Sequence, residues 1–196
     1  MSIILNKDIN KALEQATSFC EAKGLDVVFV KEIPVEQLQI ISDRTKALPA
    51  MYHASVDMLQ DRLINGCYLI LKDNEICGHI FAHRHTIQRH SVYERSSLWI
   101  HKKYRNHNLG LLLMDFLTKR FTKDFLISIA QEPTVHHNNE LLGMKHVTLK
   151  ELSPVLIETL EEIGKLRDEY KYKYYVNPYF ESKIKQFNKI LIKQIK

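Results

Sequence analysis

The chain predicts an α/β (α+β) fold, and two stretches carry the prediction. Residues 96–110, SSLWIHKKYRNHNLG, pass from a strand-like run through a turn straight into an amphipathic helix. Beyond that helix lie Phe125, Leu126, Ile127, Ser128, Ile129 and Ala130, a short apolar run suited to a strand buried on both faces. Together they make a β-α-β unit, for which a right-handed crossover is expected. Just upstream, residues 66–71 and 76–86 flank the turn residues Asp73 and Asn74, which adds a β-hairpin.

The remaining elements follow in chain order. Residues 8–23 read as a helix closed by Gly24, and residues 25–31 contain the β-branched and aromatic run of a first strand. Residues 34–46 and 55–64 are predicted helices, separated by the breaker Pro49. The helix of the β-α-β unit places Leu109, Leu112, Leu113, Phe116 and Leu117 on one stripe at offsets of three and four, so it starts near Asn108. A last strand is expected at about residues 146–149. Ser153 and Pro154 form an N-cap and N1 pair for an acidic helix running to about Asp168, and Asn177 and Pro178 do the same for a final helix. That final helix sets Phe180, Ile184, Phe187, Leu191 and Ile195 on one face. With no linker or repeat in sight, residues 1–152 are expected to form the main domain and residues 153–196 a helical, basic C-terminal extension packed on it.

The turn after Tyr104 suits an anion. Asn is a preferred N-cap residue, and the first N–H groups of a helix have no internal partners, so a phosphate placed there meets donors and the positive end of the dipole. Arg105 and His107 add side-chain donors. The run Trp99, Ile100, His101, Lys102, Lys103, Tyr104, Arg105, Asn106, His107, Asn108, Leu109, Gly110 resembles motif A of the GNAT superfamily of N-acetyltransferases. In that family a strand leads into Arg/Gln-x-x-Gly-x-Gly/Ala and the acetyl-CoA pyrophosphate sits on the loop. Arg105 and Gly110 match the outer positions; Asn108 stands where the first Gly is usual, and Asn tolerates left-handed conformations well. Leu142, Gly143, Met144 and Lys145 resemble the close of the family's last motif, so the likeness spans residues 25–152.

The resemblance implies a mixed, mostly antiparallel sheet flanked by helices. It implies acetyl-CoA as acyl donor, bound by Leu98, Trp99, Ile100, Arg105, Asn106, His107, Asn108, Leu109 and Gly110, with a backbone N–H near Ile100 polarising the thioester carbonyl. It also implies a small-molecule or peptide amine as acceptor, with the two helices before the hairpin lining one wall of its pocket. For the base, Glu94 is a candidate, because strand alternation puts residues 94, 96, 98 and 100 on one side. His83 and His85 compete with it: they share a strand face, and histidine accepts a proton near neutrality. The same pair with His79 and His90 raises a metal site, but no carboxylate or Cys pattern accompanies it, and none is expected. The general acid has no clear source. The family commonly places a Tyr four residues before the glycine of its last motif, which here is Asn139; Tyr93, a tail tyrosine or water would have to serve. Gln131, His136 and His137 lie in the same segment. An N-acetyltransferase is therefore the leading reading, and a catalytically degenerate CoA-binding or regulatory module the alternative.

Composition sets bounds. A length of 196 residues with 45% hydrophobic content and 26% charge suits one well-packed domain, with or without an appendage. No apolar run approaches the ~20 residues of a membrane span, and no signal peptide is legible, so a cytoplasmic protein is expected. Cys20, Cys67 and Cys77 read as buried thiols. Of the net charge of +5, residues 171–196 carry +6, from seven lysines against Glu181. Such a basic amphipathic helix, interleaved with Tyr170, Tyr172, Tyr174, Tyr175 and Tyr179, can meet nucleic acid or an anionic surface. Packing on the domain with its polar face in water is the preferred reading, and a homodimer is left open.

Overall fold

In a computed structural model, residues 2–48, 51, 53–87, 90–152, 154–162, 164 and 166–193 are described. The elements are α1 (Ser2–Lys23), β1 (Asp26–Val30), α2 (Val35–Ala47), α3 (Val56–Leu63), β2 (Cys67–Lys72), β3 (Glu75–Ile87), β4 (His90–Ile100), α4 (Leu109–Arg120), β5 (Phe125–Ala130), α5 (Pro133–Leu141), β6 (Lys145–Val147), α6 (Pro154–Glu162), β7 (Lys173–Val176) and α7 (Pro178–Lys193). The strands follow the order β1-β2-β3-β4-β5-β7-β6. β1 with β2, β2 with β3, β5 with β7 and β6 with β7 pair antiparallel. No helix among the described residues is long and apolar enough to cross a membrane.

The chain divides into two compact units. The first comprises Met1–His83 and Arg95–Arg120. Its core gathers Leu38 and Ile41 of α2 and Leu59 and Leu63 of α3 against Cys67, Leu69 and Phe81 of β2 and β3. Local chemistry sets these elements. Gly24 closes α1 at φ +61°, Ser55 caps α3 by accepting the Met58 N–H at 3.3 Å, and Asp73 and Asn74 make the hairpin turn, both left-handed as a two-residue connection requires. Pro49 lies outside the described residues.

The second unit comprises Arg84–Glu94 and Phe121–Lys196. Ile87, Val92, Ile127, Val147, Leu156, Leu160, Tyr174, Val176 and Phe180 form its core, with Ile184 packed alongside. The tail differs from the wholly helical extension read from sequence. Residues Lys173–Val176 form β7, which sits between β5 and β6 and pairs with both. α6 stops at Glu162 rather than near Asp168, because Gly164 turns left-handed at φ +67° and the Leu166 N–H reaches back to the Leu160 carbonyl at 2.7 Å. Ser153 and Ile195 fall outside the described residues, as do the side chains of Phe187 and Leu191. All three cysteines are buried and unbridged.

Candidate functional site

The turn between β4 and α4 is built to leave its amides exposed. After Ile100 the His101 N–H closes on the Cys77 carbonyl at 2.8 Å, and a short 3-10 turn, Lys102–Tyr104, follows with the His101 ring accepting the Lys103 N–H. Tyr104 is buried and anchors that turn. The chain then swings through Asn106 at φ +66° and Asn108 at φ +57°, left-handed positions that Asn fills at small cost. The Asn108 carbonyl takes the first helical bond, from the Leu112 N–H at 3.0 Å. Among the described residues, no acceptor meets the backbone N–H groups of Asn106 to Leu111. Six successive donors on one turn are therefore left without an internal acceptor, at the positive end of α4 and among the exposed Lys102, Lys103, Arg105 and His107.

The side chains around the turn take distinct roles. Arg105 Nε donates to the Ile100 carbonyl at 3.0 Å, which ties the guanidinium beside the strand end. His107 stacks on Phe19 of α1 with ring centres 3.7 Å apart. Leu109 is buried and pins the first turn of α4. A methyl group built on Gly110 would meet Leu98 at 3.9 Å and Ile100 at 4.0 Å, ordinary van der Waals contacts, so packing within the chain does not demand glycine there. Trp99 points to the other face of β4: its indole stacks with His79 and lies under the Arg44 guanidinium.

β4 does not alternate cleanly. Ser97 adopts φ +53° in mid-strand, and Glu94, Arg95 and Ser96 are buried consecutively. The period-two argument that put Glu94 and Ile100 on one side therefore fails at Ser97, because a left-handed residue resets the side-chain sequence. Glu94 itself is buried and accepts from His85, Nε2 to Oε2 2.8 Å. His83 lies two residues earlier on β3 and is half-buried.

The other expected residues scatter. His79 is fully buried, and its Nδ1–H donates to the Ser97 carbonyl at 2.6 Å; burial foremost drives its pKa down to about 3, with the Arg44 charge pushing the same way. His90 stands edge-on to Phe125 and Tyr93 leans on Phe121. Asn139 is fully buried, its side-chain amide donating to the Ser128 hydroxyl at 3.3 Å while its main-chain carbonyl accepts the Met144 N–H, which holds α5 against β5. His136 bonds the Gln131 carbonyl and His137 is exposed.

Of the tail tyrosines, Tyr174 spends its hydroxyl on Arg167, donating to the carbonyl and accepting from the N–H. Tyr175 instead directs its hydroxyl at Glu140 Oε1, 3.5 Å away, and burial and that carboxylate push its pKa up to about 12. Sequence reasoning missed β7, which positions Tyr175, and missed the Arg44, Trp99 and His79 stack. A cation in the second half of a helix otherwise facing a core was the one available hint of the latter.

Residues 36–141 match the model of the acetyltransferase (GNAT) family. No curated protein matches the chain. Among solved structures, the fold is similar to N-acetylglutamate synthase from Neisseria gonorrhoeae, complexed with coenzyme A and N-acetyl-glutamate, at TM-score 0.58 and 11% identity over 78% of this chain. The chain spans only 35% of that larger protein. It is also similar to Arabidopsis thaliana Naa50, in complex with the bisubstrate analogue CoA-Ac-MVNAL, at TM-score 0.53, 10% identity, 78% of this chain and 96% of that one. Arabidopsis thaliana NAA60 in complex with acetyl-CoA gives TM-score 0.54 and 8% identity over 78% of this chain and 96% of its own. At such identities the likeness is one of fold.

Proposed function

Since the chain belongs to the acetyltransferase (GNAT) family, we propose that it is an N-acyltransferase that moves an acetyl group from acetyl-CoA to a primary amine by direct transfer. The observation that carries this reading is the row of unpartnered N–H groups from Asn106 to Leu111 at the start of α4. Such a row, flanked by Lys102, Lys103 and Arg105, suits an anionic group such as a phosphate. The family's fold neighbours bound to coenzyme A, a bisubstrate analogue or acetyl-CoA support the donor, and the N-acetyl-glutamate and peptide portions of those ligands support an amine acceptor.

Acetyl-CoA supplies, when bound, an activated thioester. The chain's part is to hold it and manage protons. Arg105, Asn106, His107, Asn108, Leu109 and Gly110 clasp the diphosphate through main-chain donors and two side chains. The backbone of Leu98, Trp99 and Ile100 takes the arm, and an N–H near Ile100 polarises the carbonyl. The amine must lose a proton, and the buried His85 and Glu94 pair, with His83 beside His85 on β3, takes it. A carboxylate hydrogen-bonded to an imidazole holds its ring orientation and stabilises the imidazolium that forms. Water is the proton donor we assign to the departing thiolate. Direct transfer of this kind requires no metal.

Calorimetric titration with acetyl-CoA tests the reading. Binding is expected in the wild type, and Arg105→Glu, which reverses one charge at the turn, should weaken it about tenfold or more. Absence of heat, or equal affinity in the variant, rejects the assignment. A second reading, a CoA-binding module without turnover, is favoured by Asn139, whose amide is committed to Ser128 where the family commonly has a proton-donating Tyr. Thiol release above the no-acceptor background, across a panel of amines, would exclude it.

A further inference from the structure

One cation in the first unit is set up for an anion that no described residue supplies. Arg44 of α2 lies with its guanidinium carbon 4.0 Å from the centre of the Trp99 ring. Its Nη1 is shielded from solvent, and among the described residues it has no hydrogen-bond partner and no Asp or Glu pairs with it. Stacking on an indole holds a guanidinium in place but leaves its in-plane N–H donors unused. A buried, unsatisfied charged donor is costly, so a fold keeps one where a ligand completes it.

His79 adds the second half. Its ring stacks on the same indole, with centroids 5.5 Å apart and planes 20° from parallel. Because Nδ1 donates to the Ser97 carbonyl, the neutral ring presents Nε2 as an acceptor, and this atom too is buried with no hydrogen-bond partner. Arg44 and Trp99 both keep part of their surface in solvent. One donor of fixed positive charge and one acceptor on a shared aromatic platform match a molecule that carries a carboxylate close to an N–H group.

We propose that Arg44 binds the carboxylate of the acceptor, with His79 Nε2 receiving an N–H from it, so that the substrate class is an amine bearing a carboxylate, of the amino-acid type. This rests on the acyltransferase reading above and specifies its acceptor. α2 is then the helix that reads acceptor charge, through a residue in its second half, and Trp99 contributes by its side chain to the acceptor rather than to the donor.

The test pairs free amino acids with their own carboxamides at saturating acetyl-CoA, reading thiol release. Each pair differs in the carboxylate alone, and the amide's less basic amine is the better nucleophile at neutral pH on chemistry alone, so a preference for the acid reports recognition. The wild type should favour acids about tenfold or more in kcat/KM. Arg44→Gln should raise KM for the acids about tenfold with kcat within about twofold, and erase the preference; Arg44→Lys should restore part of it. Equal use of amides by the wild type overturns the proposal, as does a preference that survives in Arg44→Gln. So does a variant that merely melts earlier with its preference intact, which would leave Arg44 and His79 sharing an ordered water. In each of those outcomes acetyl-CoA is still consumed, and the acyltransferase reading stands. If no amine supports turnover by the wild type, both fall.

Discussion

His85 Nε2 lies 2.8 Å from Glu94 Oε2, and both side chains are about 95% removed from solvent, at 4% and 5% exposure. Two strands thus present a carboxylate and an imidazole to one another across nine residues of sequence. Were the pair a mere structural tie, its loss would show as stability; as the proton acceptor it must show as rate. Glu94→Gln keeps the size and one hydrogen-bonding oxygen but removes the charge. The expected result is a fall in kcat of about 10²-fold with acetyl-CoA affinity unchanged. Steady-state rates beside calorimetric affinity decide it; unaltered kcat would remove Glu94 from the mechanism.

Gly110 separates the demands of the fold from those of a ligand. The nearest atoms to an added methyl group are Leu98 at 3.9 Å and Ile100 at 4.0 Å, so Gly110→Ala fits without strain. Alanine in the first turn of α4 should stabilise the protein by about 0.5–1 kcal/mol. Its affinity for acetyl-CoA should nonetheless fall several-fold, since backbone approach at this turn is what glycine permits. Thermal melting and titration of the same sample check both signs; a variant that gains stability and keeps affinity would show that nothing approaches Gly110 closely.

Asn177 is the polar knot of the second unit. Its side-chain amide donates to the carbonyls of Phe121 at 3.1 Å and Asp124 at 3.0 Å, and its carbonyl accepts the Phe180 N–H at 3.0 Å as the cap of α7. Asn177→Ala deletes the cap and strands two carbonyls in a buried site, for an expected loss of about 3 kcal/mol. Denaturant unfolding measures it, and a loss under about 1 kcal/mol would mean that water replaces the amide.

That cap was legible because Asn177 and Pro178 are a local signal, as were the Asp73 and Asn74 turn and the stripe of leucines in α4. Elements whose cause is distant were not. β7 is four residues, Lys173–Val176, whose pairing partners lie at Ile127–Ala130 and Lys145–Val147; Tyr174, Tyr175 and Val176 suit a strand, but so short a run is defined by those distant partners. Ser97 is an ordinary residue in an unordinary conformation, and so the face of Glu94 was misjudged. The turn before α4 was readable because its shape resides in backbone and chain reversal, which Asn and Gly announce. The Arg44, Trp99 and His79 stack joins three elements, and periodicity in any one of them is silent about it.

His79 makes stability depend on pH in a calculable direction. Burial, aided by the Arg44 charge and opposed by the bond to the Ser97 carbonyl, holds its pKa at about 3, whereas an unfolded histidine titrates near ~6.5. Above pH ~6.5 the ring is neutral in both states and contributes no pH dependence. Below it, the unfolded chain takes up a proton that the folded chain refuses, so unfolding becomes easier as pH falls, by up to about 1.4 kcal/mol per unit, until the folded ring also protonates near pH 3. The lowered pKa of His136 acts with the same sign. From pH 6.5 to pH 4 the wild type should therefore lose roughly 3 kcal/mol more than His79→Gln, whose amide can still donate to Ser97 but cannot be protonated. Urea unfolding of the two proteins at half-unit pH steps resolves the difference. Parallel curves would mean that the folded protein protonates His79 as readily as water does, and that the ring is neither desolvated nor held as a neutral acceptor beside Arg44.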